Sequence, residues 1–283
     1  WLHPKQGTDA ALAFAFGHVI LREFHLDNPS SYFLDYCRQY SDMPMLVRLD
    51  ARDDGSFVAG RFLRASDLDG GMGESNNPEW KTLAFDENTG ALTVPNGSVG
   101  FRWGETGKWN LEEKDAAGKP VKLSLSVAEI KDDMVEVAFP YFGNIKHEHF
   151  DSTNHASILK RRVPVKKLKL ADGETLVATV HDLFLANYGI DRGFGGDNVA
   201  KSLDDDTPYT PAWAEKITGV SRDKIIQVAR EFATNAEKTN GRSMVIIGAA
   251  MNHWYHADMN YRGVMNMLIM CGCVGQSGGG WAH

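Results

Sequence analysis

Residues 243–280 read SMVIIGAAMNHWYHADMNYRGVMNMLIMCGCVGQSGGG, and this stretch decides the fold class. Residues 243–247 form a short apolar run bounded by Gly248, which reads as a buried β-strand. The strand ends in Gly248-Ala249-Ala250 and is followed by a loop carrying Asn252, His253, Trp254, Tyr255 and His256. Asp258 is placed to cap a helix with Val264, Met267, Leu268 and Cys271 on one face, and Gly272 stops it. A glycine-rich segment comes next. Strand, loop, helix and glycine loop in that order make an α/β unit. Open sheets of this kind bind ligands beyond the carboxyl ends of their strands.

Outward from this unit, Thr210-Pro211 is expected to open a helix that Gly219 closes, and Ser221 to cap a second one with Ile225, Ile226, Ala229, Phe232 and Ala233 on its apolar face. At the other end, Thr8 is an N-cap for an alanine-rich helix that is apolar all round and therefore deeply buried. Asn28-Pro29 restarts a helix with Tyr32, Phe33, Tyr36, Cys37 and Tyr40 at helical spacing, a packing stripe. Between these regions glycines and turn residues break up short β-like runs at 46–49, 99–103, 121–127 and 135–139. The expected organisation is a helical start of a cofactor-binding α/β region at 1–45, an irregular insertion of short strands and loops at 46–165, and an α/β cofactor-binding region at 166–283.

Composition narrows the function classes. With 30 basic against 37 acidic residues the net charge is −7, so there is no basic field for nucleic acid. The one basic cluster, Lys160-Arg161-Arg162 with Lys166, Lys167 and Lys169, is interrupted by apolar residues and reads as a solvated face. Three cysteines, Cys37, Cys271 and Cys273, are too few and too odd for a disulfide framework. Two thiols alone do not complete a tetrahedral metal site, so Cys271 and Cys273 read as small buried side chains at a helix end. No run of about 18 apolar residues spans a bilayer. The missing initiator Met and the abrupt ends suggest an internal piece of a longer chain.

Two constellations carry chemistry. Gln6-Gly7-Thr8-Asp9 stands at a helix start, where amides of the first turn favour anions and Asp9 offers acceptor oxygens only; ordinary capping by Thr8 and Asp9 is the alternative. The second is the strand–loop–helix–glycine unit itself. Asn252 and His253 leave the strand end. Gly275, Gln276, Ser277, Gly278, Gly279 and Gly280 offer exposed amides and polar side chains able to wrap a pyrophosphate without basic residues. This is neither a Walker loop nor the dinucleotide fingerprint, since no Gly-Lys follows and the glycines come after a helix. A plain interdomain loop is the competing reading. His253 and His256 suit packing or cofactor hydrogen bonds better than metal ligation. His147 and His149 read as a solvated loop, and Asp204-Asp205-Asp206 as an exposed acidic turn. No triad for nucleophilic catalysis stands out.

The stretch from Pro4 to Leu12, PKQGTDAAL, resembles the P-x-x-G-T-D-x-A-L element of the molybdopterin oxidoreductase superfamily, the dimethyl-sulfoxide-reductase class. NHWYH at 252–256, MNYRG at 259–263 and CGCVGQSGGGWAH at 271–283 resemble the respiratory nitrate reductase alpha subunits in particular. So do NPSSYF at 28–33, NPEWK at 77–81, FRWG at 101–104 and TPAWAE at 210–215.

That resemblance implies the central portion of a multidomain molybdopterin oxidoreductase fold. It implies a bis(molybdopterin guanine dinucleotide) molybdenum cofactor and reduction of nitrate to nitrite. It further implies a [4Fe-4S] cluster elsewhere in the full-length subunit, an iron–sulfur electron-transfer subunit, a quinol-oxidising membrane cytochrome b subunit, and a place on the cytoplasmic face of the inner membrane. Cofactor contacts carry over to Gly7, Thr8 and Asp9, to Gly248, Asn252 and His253, and to Gly275, Gln276, Ser277, Gly278, Gly279 and Gly280. Ala250 stands where a glycine is expected. The molybdenum and cluster ligands are expected upstream of Trp1, so no catalytic or metal-ligating residue is assigned here, and the piece alone is expected to be inactive. The competing readings are a nitrite oxidoreductase or a selenate, chlorate or perchlorate reductase of the same subgroup, and, in a different class, a non-catalytic scaffold subunit.

Overall fold

The computed structural model describes residues 1–98, 110–115, 117–140 and 158–283. In chain order the elements are α1 (Asp9–Ile20), a π-helical segment (Leu21–Asp27), α2 (Ser31–Tyr40), β1 (Leu46–Ala51), β2 (Phe57–Phe62), β3 (Ala84–Phe85), β4 (Leu92–Thr93), β5 (Pro95–Ser98), β6 (Asn110–Asp115), β7 (Asp133–Pro140), β8 (Ile158–Leu170), β9 (Gly173–Thr179), α3 (Val180–Asn187), α4 (Pro211–Thr218), α5 (Arg222–Thr239), β10 (Met244–Ile246), α6 (Ala257–Met270) and β11 (Gly280–Ala282). The chain divides into two compact units. One comprises residues 1–37, 188–192 and 198–283; the other comprises 38–187 and 193–197.

The second unit is built on a closed barrel in the order β1-β2-β7-β8-β9. Strands β7 and β8 pair antiparallel from Asp133↔Val165 to Pro140↔Ile158, and β9 closes the ring by pairing antiparallel with β1, Leu46↔Thr179 to Leu49↔Leu176. Apolar clusters pack on both faces of the ring. Leu46 and Val177 join Leu63, Leu83 and Phe85 in one apolar cluster, while Val47, Leu49 and Ala178 join Val137, Phe139, Val163 and Val165 in another, which α3 completes with Leu183 and Ala186. Alternate residues of one strand thus enter different cores, as a two-residue side-chain period requires. The short strands β3 and β4 and the turns around them supply the irregular texture that the sequence suggests, but the barrel strands run on to Thr179.

Several expectations change here. Residues 121–127 form no strand; within them only an isolated bridge at Leu123 occurs, and at their end Ser126 and Val127 bond the Asp182 carboxylate. The 99–103 run and the His147/His149 pair lie outside the described residues. Arg161 is not on a solvated face: it is 1% exposed. Strand parity places it with Leu159, Val163 and Val165, and its guanidinium donates to the carbonyls of Ala186 (2.8 Å) and Asn187 (2.7 Å) at the end of α3 and to Asp197 O (2.9 Å). A cation at a helix C-terminus is favourably placed against the dipole. Its neighbours Lys160 and Lys166 pair with Asp54 and Asp132.

The first unit packs helices around the short parallel pair β10–β11 (Met244↔Gly280, Val245↔Trp281, Ile246↔Ala282). Helix α4 follows its sequence signals: Thr210 Oγ1 accepts from Trp213 N, Pro211 occupies the first turn, and Gly219 closes the helix in a left-handed conformation. Ala15, Ala214, Val220 and Ile225 form an apolar cluster among α1, α4 and α5. Helix α2 starts at Ser31, not at Pro29, because the π-helical turns carry the preceding helix through to Asp27 and Asn28 ends them. The strand expected to be buried at 243–247 is only three residues long, with Met244 at 44% and Ile246 at 77% exposure. Among the described residues no helix is long and apolar enough to cross a membrane.

Candidate functional site: two uncapped helix starts

Helix α1 and helix α6 run in the same direction. Three contacts in ascending order on both segments establish this. The six-membered ring of Trp254 lies against Gly7, where a Cβ would meet its Cε3 at 3.4 Å. Further along, a Cβ on Gly263 would stand 2.8 Å from the Cβ of Ala13, so the helices touch at two small residues. Beyond α1, in the π-helical segment, His25 Nε2 meets Met270 O at 3.0 Å. The two N-termini therefore lie at one end of the unit.

Neither N-terminus carries a side-chain cap. Thr8, expected as a cap, instead donates its hydroxyl to Lys5 O at 2.6 Å, closing the turn that Gly7 makes at φ +75°. Of the first-turn amides, Ala11 N bonds Thr8 O in α1, and Ala257 N and Met259 N bond Trp254 O and His256 O in α6, which leaves those of Asp9, Ala10 and Asp258 for a ligand; aligned peptide dipoles make this end positive. Asp9 and Asp258 sit in the two first turns and supply acceptor oxygens there. The combination suits a ligand with an anionic linker and donor hydroxyl or amino groups.

Gly248 lies beyond the C-terminal end of β10, and a Cβ there would meet open space. A 3-10 turn, Ala249–Asn252, follows, then His253 to His256. Asn252, His253, Trp254, Tyr255 and His256 are all exposed. The turn is held from behind: Asn260, 1% exposed, donates its side-chain amide to Met251 O at 3.0 Å. The structure thus brings Gly7, at the start of α1, against Trp254, on the turn that carries Asn252 and His253.

The second glycine segment is elsewhere. In a strand–helix–strand unit with parallel strands, the first connection leaves the C-terminal strand ends and the second enters at the N-terminal ends. Gly275, Gln276, Ser277, Gly278 and Gly279 are on that second connection, at the far end of α6, and Gly280 is the first residue of β11, its N–H bonded to Ser243 O. Much of this loop is packed. Tyr32 donates its hydroxyl to Gly272 O (2.7 Å) and Tyr36 to Val274 O (2.9 Å), and a Cβ on Gly279 would collide with Gly241 O. Gly275 and Gly278, by contrast, face open space, and Ser277 is exposed.

The titratable groups behind these loops are kept neutral. Burial pushes the Cys273 thiol up to about 11 and the Cys271 thiol well above its usual range, so both stay protonated at neutral pH. Burial also pushes His25 down to about 4, only partly countered by its bond to Met270 O. Among the described residues no three His, Cys, Asp or Glu side chains group closely enough to hold a metal ion.

The whole of residues 1–283 matches the family model described as molybdopterin oxidoreductase. This chain belongs to the molybdopterin oxidoreductase family. Within that family it is 63% identical to the respiratory nitrate reductase 1 alpha chain of Escherichia coli, 44% to the nitrate reductase alpha chain of Bacillus subtilis, and 26% to the perchlorate reductase alpha subunit of Dechloromonas aromatica. Each comparison covers all of this chain, but the chain spans only 22–23% of those relatives' length. This molybdopterin oxidoreductase segment is α/β, as the 243–280 stretch suggests.

What sequence reading missed were the supports. Asn260 and Gly263 lie inside a helical pattern, where an Asn on an otherwise apolar face and a mid-helix glycine were the available signals. The partners of Tyr32 and Tyr36 lie more than 200 residues away in sequence and left no local signal.

Proposed function

We propose that this chain is part of the catalytic subunit of a respiratory nitrate reductase, and that its first unit holds nucleotide portions of a bis(molybdopterin guanine dinucleotide) molybdenum cofactor. The observation that carries the reading is the pair of parallel, uncapped helix starts joined by Trp254 on Gly7. The amides that open α1 just after Gly7 and Thr8, at Asp9 and Ala10, and the open backbone at Gly248 suit a pyrophosphate. Asp9 is an acceptor for the hydroxyls of a ribose or the N–H groups of a guanine edge. Asn252 and His253, exposed on the adjoining turn, would face the metal-bearing end of the ligand and its substrate. A bis-dinucleotide has two tails, so the separate loop of Gly275, Gln276, Ser277, Gly278, Gly279 and Gly280 is assigned to a second contact, made through the open amides around Gly275 and Gly278.

When bound, the molybdenum group supplies the oxygen-atom chemistry that turns nitrate into nitrite; the protein positions and tunes it. This chain's share is binding, orientation and the exclusion of competing ligands. Electrons would arrive from a quinol-oxidising membrane cytochrome b subunit through an iron–sulfur subunit and a [4Fe-4S] cluster of the complete alpha subunit, on the cytoplasmic face of the inner membrane. The preference for nitrate over perchlorate rests on identities of 63% and 44% against 26%.

The test is an assay of the complete, assembled protein. Molybdenum and guanine should be present in a ratio near one to two, with nitrate reduced by an artificial electron donor. Protein lacking both molybdenum and guanine would refute the cofactor assignment and favour a scaffold. Turnover of selenate or chlorate without nitrate would refute the substrate assignment.

A further inference from the structure

We propose that Asn260 is a positioning residue for the turn that carries Asn252 and His253. The inference deepens the functional reading above and rests on it for its kinetic part only.

The turn has little to hold it in place by burial. Residues 252–256 are exposed throughout, and Met251 is half-buried. Its own backbone closes it weakly, with Met251 N bonded to Gly248 O at 3.2 Å and Ala257 N to Trp254 O at 3.1 Å. Two tethers fix it from outside. Trp254 lies on Gly7, and Asn260 Nδ2 donates to Met251 O at 3.0 Å, directly before Asn252. The Asn260 tether starts from a buried side chain and ends on the half-buried Met251. It starts from the first turns of α6, a helix locked to α1 at Gly263 and Ala13. Water competes poorly for a buried amide, so this bond holds a fixed length and direction where the rest of the turn can be solvated.

The residue type argues for this role. Val264, Met267, Leu268 and Met270 are the other large buried side chains of α6, and all are apolar. Packing alone would be served by Leu at 260. An amide there carries a desolvation penalty that is offset only if its hydrogen bond is made, and that bond goes to the turn. Asn260 touches no reacting atom; it acts through Met251 on the placement of Asn252 and His253.

The experiment compares the assembled wild-type protein with Asn260→Leu and Asn260→Gln. Hydrogen exchange of amides 249–256 is followed together with molybdenum content, thermal midpoint, and kcat and KM for nitrate. In Asn260→Leu the amides of the turn are expected to exchange about tenfold faster, with α1 and the rest of α6 unchanged. The KM for nitrate should rise at least fivefold with kcat within twofold. Asn260→Gln, which keeps the donor, should recover part of both effects. Unchanged exchange and unchanged KM in a loaded Asn260→Leu protein would overturn the proposal. So would a loss confined to the thermal midpoint, which marks a purely structural role. If Asn260→Leu does not accumulate, the same exchange measurement on Asn260→Gln decides: exchange faster across the whole of α6, not the turn alone, overturns it. If the wild-type protein carries no molybdenum or guanine, the functional reading fails while the exchange result still stands or falls alone.

Discussion

The two glycine-bearing ends of α6 look alike in sequence and differ in what their glycines do. At the Gly248 end the backbone is open, and Gly7 across from it makes room for an indole ring. At the far end Gly272, Gly241 and Gly279 are small because other groups need the space: the rings of Tyr32 and Tyr36 approach Gly272, and Gly241 and Gly279 meet each other's loops backbone to backbone. Only Gly275 and Gly278 in that loop face open space. A glycine run therefore has two physical meanings, exposed amides or close approach, and only the neighbours in space distinguish them.

That contrast can be broken by substitution, and the largest effects belong to the packed end. Gly279→Ala should destabilise the protein by about 3 kcal/mol or more, since its Cβ has no flexible side chain to displace, only the Gly241 carbonyl and, at 2.8 Å, the carbonyl of Cys273. Denaturant titration of the purified protein measures this; a loss below about 1 kcal/mol would mean the loop is slack and the contrast is false.

Acid tests the same region through His25, whose ring nitrogen holds the Met270 carbonyl just before the packed loop. Folding lowers its pKa from 6.5 to about 4. The unfolded chain therefore binds the extra proton first as pH falls, and stability is lost between about pH 6.5 and 4, up to about 3 kcal/mol from this group. Above pH 7 the contribution is constant. His25→Leu should flatten that part of the stability profile, and a parallel profile in the variant would show that other groups set the acid sensitivity.

The open end should respond more mildly. Gly263→Ala forces α6 away from Ala13 and should cost about 1–2 kcal/mol. It should also weaken retention of the cofactor, because it separates the two helix starts; guanine content after gel filtration reads this out. Smallest of all is Gly278→Ala. It meets no neighbour and pays only for a left-handed φ of +84°, about 1 kcal/mol. If that variant nevertheless loses guanine, the open amides of the second loop bind ligand as assigned.

The sequence by itself determined the local events. Thr210-Pro211 and Gly219 bracket α4, the 243–280 stretch gives a strand–turn–helix unit followed by a glycine loop, and buried thiols sit at the end of α6; each follows from chain propensity and spacing within a few residues. It did not determine closure of the barrel, because β1 meets β9 across more than 120 residues and no local pattern records which edges join. Nor did it place Arg161 inside, although strand parity with Val163 and Val165 held that information once the strand was known. The candidate site depended most on tertiary structure. Its residue types were legible, but their grouping was set by the parallel packing of α1 on α6 and by the antiparallel return that every parallel strand–helix–strand unit requires. That return puts Asn252 and His253 at one end and the triple glycine at the other, a separation fixed by chain direction and invisible to composition.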